Sequence, residues 1–268
     1  MNMSLPKDLL QEKCLSDWAL CVAYRGSIAH GMYTQPTEPT SIDDKDIMAV
    51  CVPPIDYYFG IHAAFPANQL FPTNGTHEIK RDEWDIVVYE ARKFISLLAQ
   101  GNPNVLTMLW LRPNMYIKKT SAFDLLIENR QAFVGRHVYK SFTGYAYGQL
   151  HRMTHHAYAG HMGAKRKAIV DKFGYDLKNA AHLIRLLRMG AEFLKDGELY
   201  VHRDDAQQLL EIKRGEWTLE QVKAEADKWF ALSEQAYINS TLPKSPDLAK
   251  INELSVTIIR QSLPYYRD

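Results

Sequence analysis

Apolar positions along the chain fall into two regimes. Up to about residue 135, apolar runs of strand length alternate with helical stripes; beyond it, almost every apolar position recurs at helical spacing. The first regime opens with a short helix over 5–15, with Pro6 near its start and Leu9, Leu10 and Cys14 on one side. Strands follow at 18–24 and 45–52, separated by a turn at Gly26-Ser27 and a polar loop at 34–40 that carries Pro36 and Pro39. The stretch Ile55 to Gly75 is aromatic and has no period, with Tyr57, Tyr58, Phe59, Phe65 and Phe71. It reads as a loop covering the core in preference to a platform for stacking a base.

A strand pair at 76–81 and 84–89 leads into a helix at 89–100, whose stripe is Ala91, Phe94, Ile95, Leu97 and Leu98 and which Gly101 and Pro103 stop. A nearly all-apolar helix at 104–111 follows, with Asn102 and Asn104 as capping residues, then a strand at 115–118 and a helix from Ser121. Past Gly135 the spacing predicts helices at 137–155, 164–172, 175–196, 204–213, 218–238 and 246–262, with one short strand at Leu199–Val201. The expected fold class is α+β. A mixed β-sheet with flanking helices occupies 1–135, and an all-α domain occupies 136–268.

Composition alters this picture little. The 268 residues are 46% hydrophobic and 24% charged, ordinary for a globular protein. With 32 Lys and Arg against 31 Asp and Glu, no global field draws nucleic acid, so any RNA contact falls to a local patch. Cys14, Cys21 and Cys51 are an odd count without CxxC spacing, and two of them lie in apolar runs. That points away from a disulfide framework and toward a reducing cytoplasm. No apolar run approaches the ~18 residues of a membrane helix, and the first residues lack the apolar core of a signal peptide. The expectation is a cytoplasmic protein with no membrane partner.

Candidate chemistry gathers between Trp18 and Val52. Side chains alternate along a strand, so Asp44 and Asp46 at the entrance to 45–52 point the same way, roughly 6–7 Å apart. Two carboxylates so placed repel unless a cation sits between them, and Mg²⁺ takes oxygen ligands shared with substrate phosphates. The Gly26-Ser27 turn offers backbone N–H groups and a hydroxyl to phosphate oxygens. His30, in the turn after it, touches phosphate or caps the turn. Asp85 opens a buried strand, which is costly unless it is paired or metal-bound. A phosphate cradle beside metal-binding carboxylates reads as phosphoryl or nucleotidyl transfer.

Helix 175–196 buries Leu177, Ala180, Ala181, Ile184, Leu187 and Ala191. Lys178, His182 and Arg185 fall at i, i+4 and i+7, within a sector of roughly 60° on the other side. This basic face is either a clamp for a triphosphate or a solvated surface, and Lys165, Arg166 and Lys167 would extend it. His151, His155, His156 and His161 form the densest histidine group. With no nearby Cys and no HExxH pattern they read as polar-face histidines or RNA contacts rather than as a zinc site.

Several blocks in order carry a resemblance: Gly26-Ser27-x-Ala29-His30-Gly31, Asp44-x-Asp46, Asp85 through Glu90 with Arg92-Lys93-Phe94, Gly101-Asn102-Pro103-Asn104, and Gly174-Tyr175-Asp176 with Lys178, Ala180, His182 and Arg185. Together they resemble the DNA polymerase β nucleotidyltransferase superfamily, and within it the predicted nucleotidyltransferases of RNA repair pathways in bacteria and large phages. The blocks run from about Trp18 to Arg188. Two features depart from the superfamily pattern. Sixteen residues separate Ser27 from Asp44, more than its usual gap, and Lys45 stands where an apolar residue is commoner.

The resemblance implies a nucleotidyltransferase fold over 1–135, with the helical domain 136–268 closing the site. It implies attack of a hydroxyl on an NTP α-phosphate with release of pyrophosphate. It places two Mg²⁺ ions, with Mn²⁺ as a substitute, on Asp44, Asp46 and a third carboxylate, for which Asp85 is the matching position. Gly26, Ser27, His30, Lys178, His182 and Arg185 become nucleotide-binding positions. The implied substrates are an NTP, ATP foremost, and an acceptor, with an RNA end favoured by the family label. Nucleotidylation of a protein or small molecule stays open, as does an NTP-binding regulatory module without turnover.

Overall fold

The computed structural model describes residues 5–35, 37–41, 43–60, 71, 74–154 and 164–263. Its first half is built on a five-stranded sheet: β1 (Ala19–Tyr24), β2 (Lys45–Cys51), β3 (Thr76–Arg81), β4 (Trp84–Glu90) and β5 (Tyr116–Lys119), in the order β3-β4-β2-β1-β5. β2 and β4 run parallel while the other neighbours are antiparallel, so the sheet is mixed. β1 is buried at every position, and β2 from Ile47 onward, as expected where both faces of a strand are covered. On one face lie Ile47, Ala49, Ile86 and Val88, covered by Leu5, Leu9, Cys14 and Leu15. On the other, Met48, Val50 and Val87 join a core that continues into the helices as far as Ile258. Asp46 and Asp85 share the strand parity of Met48 and Val87 and so project toward this helical side.

Around the sheet lie α1 (Gly26–Ala29), α2 (Ile55–Phe59), α3 (Ala91–Ala99), α4 (Pro103–Leu106) and α5 (Ser121–Glu128). Then come α6 (Val138–Thr154), α7 (Ala164–Phe173), α8 (Leu177–Asp196), α9 (Ala206–Arg214), α10 (Leu219–Asn239) and α11 (Leu248–Ser262). The expected α+β class, a mixed sheet followed by a helical half, is what the structure shows. α8 is the hub, packed against α6, α9 and α10. Its ends are written in the sequence. The Asp176 carboxylate accepts from Asn179 N at 3.0 Å, and Gly197 closes the helix in the left-handed conformation at φ 69°.

Three local expectations change. The helix at 5–15 is only a 3₁₀ turn at Leu9–Gln11. Asp8 pairs with Arg81 on β3 instead of capping, and Leu9, Cys14 and Leu15 must all reach the sheet. The helix at 104–111 breaks into α4 and a 3₁₀ turn, Thr107–Leu109, where the Thr107 hydroxyl donates to Asn104 O at 2.8 Å. Leu199–Val201 is not a strand: with no strand beside it among the described residues, its Val201 carbonyl accepts instead from the His30 ring. Within the aromatic stretch, 61–70, and with them Phe65, lie outside the described residues. Tyr57 and Phe71 stack edge-on against the buried sheet face, the core-covering role. Among the described residues no helix is long and apolar enough to cross a membrane, and all three cysteines are free and buried.

Candidate active site

At the end of β1, Arg25 N donates to Asp46 O at 2.9 Å, and the chain then turns through Gly26 at φ +60° into the single turn of α1. Positive φ favours glycine, but space demands it too. A Cβ here would lie 2.9 Å from Asp46 Cγ and closer still to Oδ2. Ser27 follows, buried, its hydroxyl without a hydrogen-bond partner among the described residues.

Asp46 and Asp85 are paired Cα to Cα across the parallel β2–β4 ladder. The Arg25 guanidinium lies 3.7 Å from Asp46 Oδ1 and 3.9 Å from Asp85 Oδ1, beyond hydrogen-bonding reach of either. Burial pushes the Asp46 carboxyl above the usual carboxylate range, and Asp85 and Asp44 add to the push against the pull of Arg25 and Lys178. Asp44 stands exposed just before β2. Its neighbour Asp43 turns inward and serves the fold: it pairs with Lys213 and accepts from Thr34 N and Oγ1 at 2.9 and 2.8 Å.

Arg25, Gly26 and Asp46 form one side of a cleft of about 340 Å³. Lys178, His182, Arg185 and Leu186 of α8 line it as well, with His30, Tyr145, Gln149 and Arg152. The three basic positions predicted on helix 175–196 thus come together with the Gly26 turn and Asp46. They do not form a solvated face. Arg185 is 5% exposed, because α8 is enclosed by helices on most of its circumference. Burial, with Arg203 nearby, brings the Arg185 guanidinium down to about 9. Its Nη1 donates to Met189 Sδ at 3.3 Å, and its Nε is buried without a partner among the described residues. His182 is held well below its ordinary range, by burial first and then by Arg185 and Lys178, so it is a neutral ring near pH 7. Arg166 does not extend the patch; it pairs with Asp176, the cap of α8, at 2.7 Å. His151 is exposed, and His155, His156 and His161 lie outside the described residues.

Over residues 20–257 the sequence matches the RNA repair pathway DNA polymerase beta family. The chain belongs to that family. Compared with curated proteins, the sequence finds no match. Among solved structures, the CD-NTase CdnG of Bradyrhizobium diazoefficiens in complex with GTP is similar at 12% identity, covering 96% of this chain and 95% of that one, with a TM-score of 0.19.

As a member of the RNA repair pathway DNA polymerase beta family, the chain belongs to nucleotidyltransferases, which generally use divalent metals. Among the described residues no group of three His, Cys, Asp or Glu side chains is assembled to hold a metal ion. What is assembled is a pair: Asp46 and Asp85 offer hard carboxylate oxygens that Arg25 approaches without hydrogen-bonding, a donor set suited to Mg²⁺.

Several cleft residues escaped the sequence reading. Arg25 directly precedes the glycine turn and carries no spacing signal of its own. Tyr145, Gln149 and Arg152 recur at i, i+4 and i+7 on α6, the same signal that singled out α8. Asn102 caps α4, accepting from Asn104 N at 3.0 Å, and donates to the Tyr145 hydroxyl at 2.8 Å.

Proposed function

We propose that this protein transfers a nucleoside monophosphate from an NTP to a hydroxyl, releasing pyrophosphate, with an RNA end as the favoured acceptor and ATP the foremost donor. One observation carries the reading: Asp46, paired with Asp85 across the β2–β4 ladder, and the Gly26 turn share a cleft with a buried Arg185 that has no carboxylate partner among the described residues. A guanidinium removed from water without an anion is costly, and a phosphate supplies the missing charge.

In this reading residues 1–135 carry the chemistry and 136–268 close the site. Gly26 keeps the backbone at Asp46 bare, so that phosphate oxygens can approach the turn. The Ser27 hydroxyl, unpartnered and buried, is a donor for one of them. Lys178 and Arg185 hold the triphosphate by charge from the α8 side, while neutral His182 orients rather than attracts it. Asp46 and Asp85, with the exposed Asp44 at the entrance, would hold Mg²⁺, which when bound neutralises charge developing on the phosphates. Asp85, whose side chain is 30% exposed against 21% for Asp46, accepts the proton of the attacking hydroxyl.

The test is incubation of the protein with each α-labelled NTP, Mg²⁺ and an RNA bearing a 3′-hydroxyl, beside a cell lysate as a source of other acceptors. Labelled RNA supports the reading, and a labelled protein or small molecule moves the acceptor to the other branch. Nucleotide binding without any labelled product would favour a module without turnover.

A further inference from the structure

His30 is held from two directions by the segment joining α8 to α9. Its Nδ1 lies 2.7 Å from Val201 O, and its own carbonyl accepts from Arg203 N at 3.2 Å. A carbonyl oxygen only accepts, so Nδ1 carries the hydrogen and the neutral ring keeps its lone pair on Nε2. The ring is indeed uncharged near pH 7. Burial first, then the Arg185 and Arg203 guanidinium groups, press it well below the ordinary imidazole range, and the Val201 contact does not offset them. His30 lines the cleft, and that one contact is the only hydrogen bond to its ring among the described residues. A neutral ring with a bare lone pair repels phosphate oxygens, which have no hydrogen to give. It suits a group that donates.

Within the nucleotidyl-transfer reading, on which this rests, we propose that His30 accepts a hydrogen bond through Nε2 from a ribose hydroxyl of the substrate and so selects ribose over deoxyribose. Arg185, which lines the same cleft and whose Nε–H has no partner among the described residues, then supplies the complementary donor to the oxygen of that hydroxyl or to an adjacent phosphate. Two substrates carry ribose hydroxyls, the NTP and the terminal nucleotide of an RNA acceptor, and the experiment separates them.

The full chain, with Mg²⁺, is titrated with ATP, 2′-deoxy-ATP and 3′-deoxy-ATP, and then with a short RNA ending in a 2′,3′-diol and its 3′-terminal 2′-deoxy and 3′-deoxy counterparts. The variant is His30→Asn, whose amide can still donate to Val201 O but is too short to reach where Nε2 stands. Its melting without ligand checks the fold. A neutral hydrogen bond corresponds to about a two- to tenfold change in Kd. Wild type should bind one deoxy compound that much more weakly than its ribose parent. His30→Asn should bind the ribose parent as weakly as wild type binds the deoxy compound, and should not discriminate. Discrimination in the ATP series assigns His30 to the nucleotide sugar, and in the RNA series to the acceptor. Equal wild-type affinities in every ribose–deoxyribose pair overturn the assignment while leaving nucleotide binding intact, a comparison that needs no variant. Discrimination that survives in a folded His30→Asn overturns it too. Failure of wild type to bind any nucleotide overturns the nucleotidyltransferase reading itself, and this proposal with it.

Discussion

Gly26 lies against the carboxylate of Asp46 so closely that a Cβ on the glycine would come within 2.9 Å of Asp46 Cγ. The residue that shapes the turn and the residue that offers a carboxylate to the cleft are therefore one packing unit. Gly26→Ala should lose transfer activity and destabilise the chain by about 1–2 kcal/mol from the left-handed backbone alone, with the steric clash added. Asp46→Ala in the same chain should recover part of that stability by making room, without recovering activity. Urea melts of the two single variants and the double variant test this, and additive effects would mean that the two residues do not share the space.

Asp46→Asn and Asp85→Asn should each lower transfer by two orders of magnitude or more, since each removes a charge from the carboxylate pair across β2 and β4. Asp44→Asn is the informative third variant because Asp44 is exposed and outside β2. A loss as large as that of Asp46→Asn would make it a full ligand. A small effect would confine the metal to the cross-strand pair. Single-turnover rates over a Mg²⁺ titration give the answer.

Arg185→Met should leave melting without nucleotide unchanged or raised, because it replaces a buried guanidinium lacking a carboxylate partner among the described residues with an apolar side chain of comparable length. Binding of NTP should weaken about tenfold, the worth of one charge-assisted hydrogen bond. Thermal shift with increasing NTP and Mg²⁺ reads both at once. A variant that melts lower without nucleotide yet keeps the wild-type shift would make Arg185 a structural residue only.

Away from the cleft, Asp205 bridges two buried arginines, accepting from Arg188 Nη1 and from Arg203 Nε at 2.7 Å each. Burial alone would raise its carboxyl, but the hydrogen bonds from Arg203 and Arg188 outweigh it and hold the carboxyl below the usual range. A depressed carboxylate stabilises the fold above its unfolded value of about 3.9 and loses that contribution as pH falls through the lower folded value. Asp205→Asn should therefore cost about 2 kcal/mol at pH 7, and the gap to wild type should close below about pH 3.9 as the native carboxylate takes up its proton. Melting curves from pH 7 to pH 3 follow it. A gap that is constant with pH would show that the loss is one of shape rather than charge.

What the chain alone determined is what depends on local chemistry. Strand and helix positions follow from apolar spacing, and the ends of α8 from Asp176 and Gly197. Of the elements that failed, 5–15 and Leu199–Val201 had a backbone group or side chain claimed by distant partners, Asp8 by Arg81 and Val201 by His30, while 104–111 broke locally where the Thr107 hydroxyl bonds Asn104 O. The candidate site was legible as residue types, Gly26-Ser27, Asp46, Asp85 and the basic positions of α8, because their spacing is written along single elements. Which of them meet was not, since the β2–β4 register that pairs Asp46 with Asp85 is a contact between segments far apart in the chain. Burial was decided there as well. Seven residues along one helix place Arg185 in line with Lys178, but only the packing of α6, α9 and α10 around α8 takes that guanidinium out of water. Tertiary structure likewise set His30 as a neutral acceptor, because its tautomer follows from a carbonyl 171 residues away.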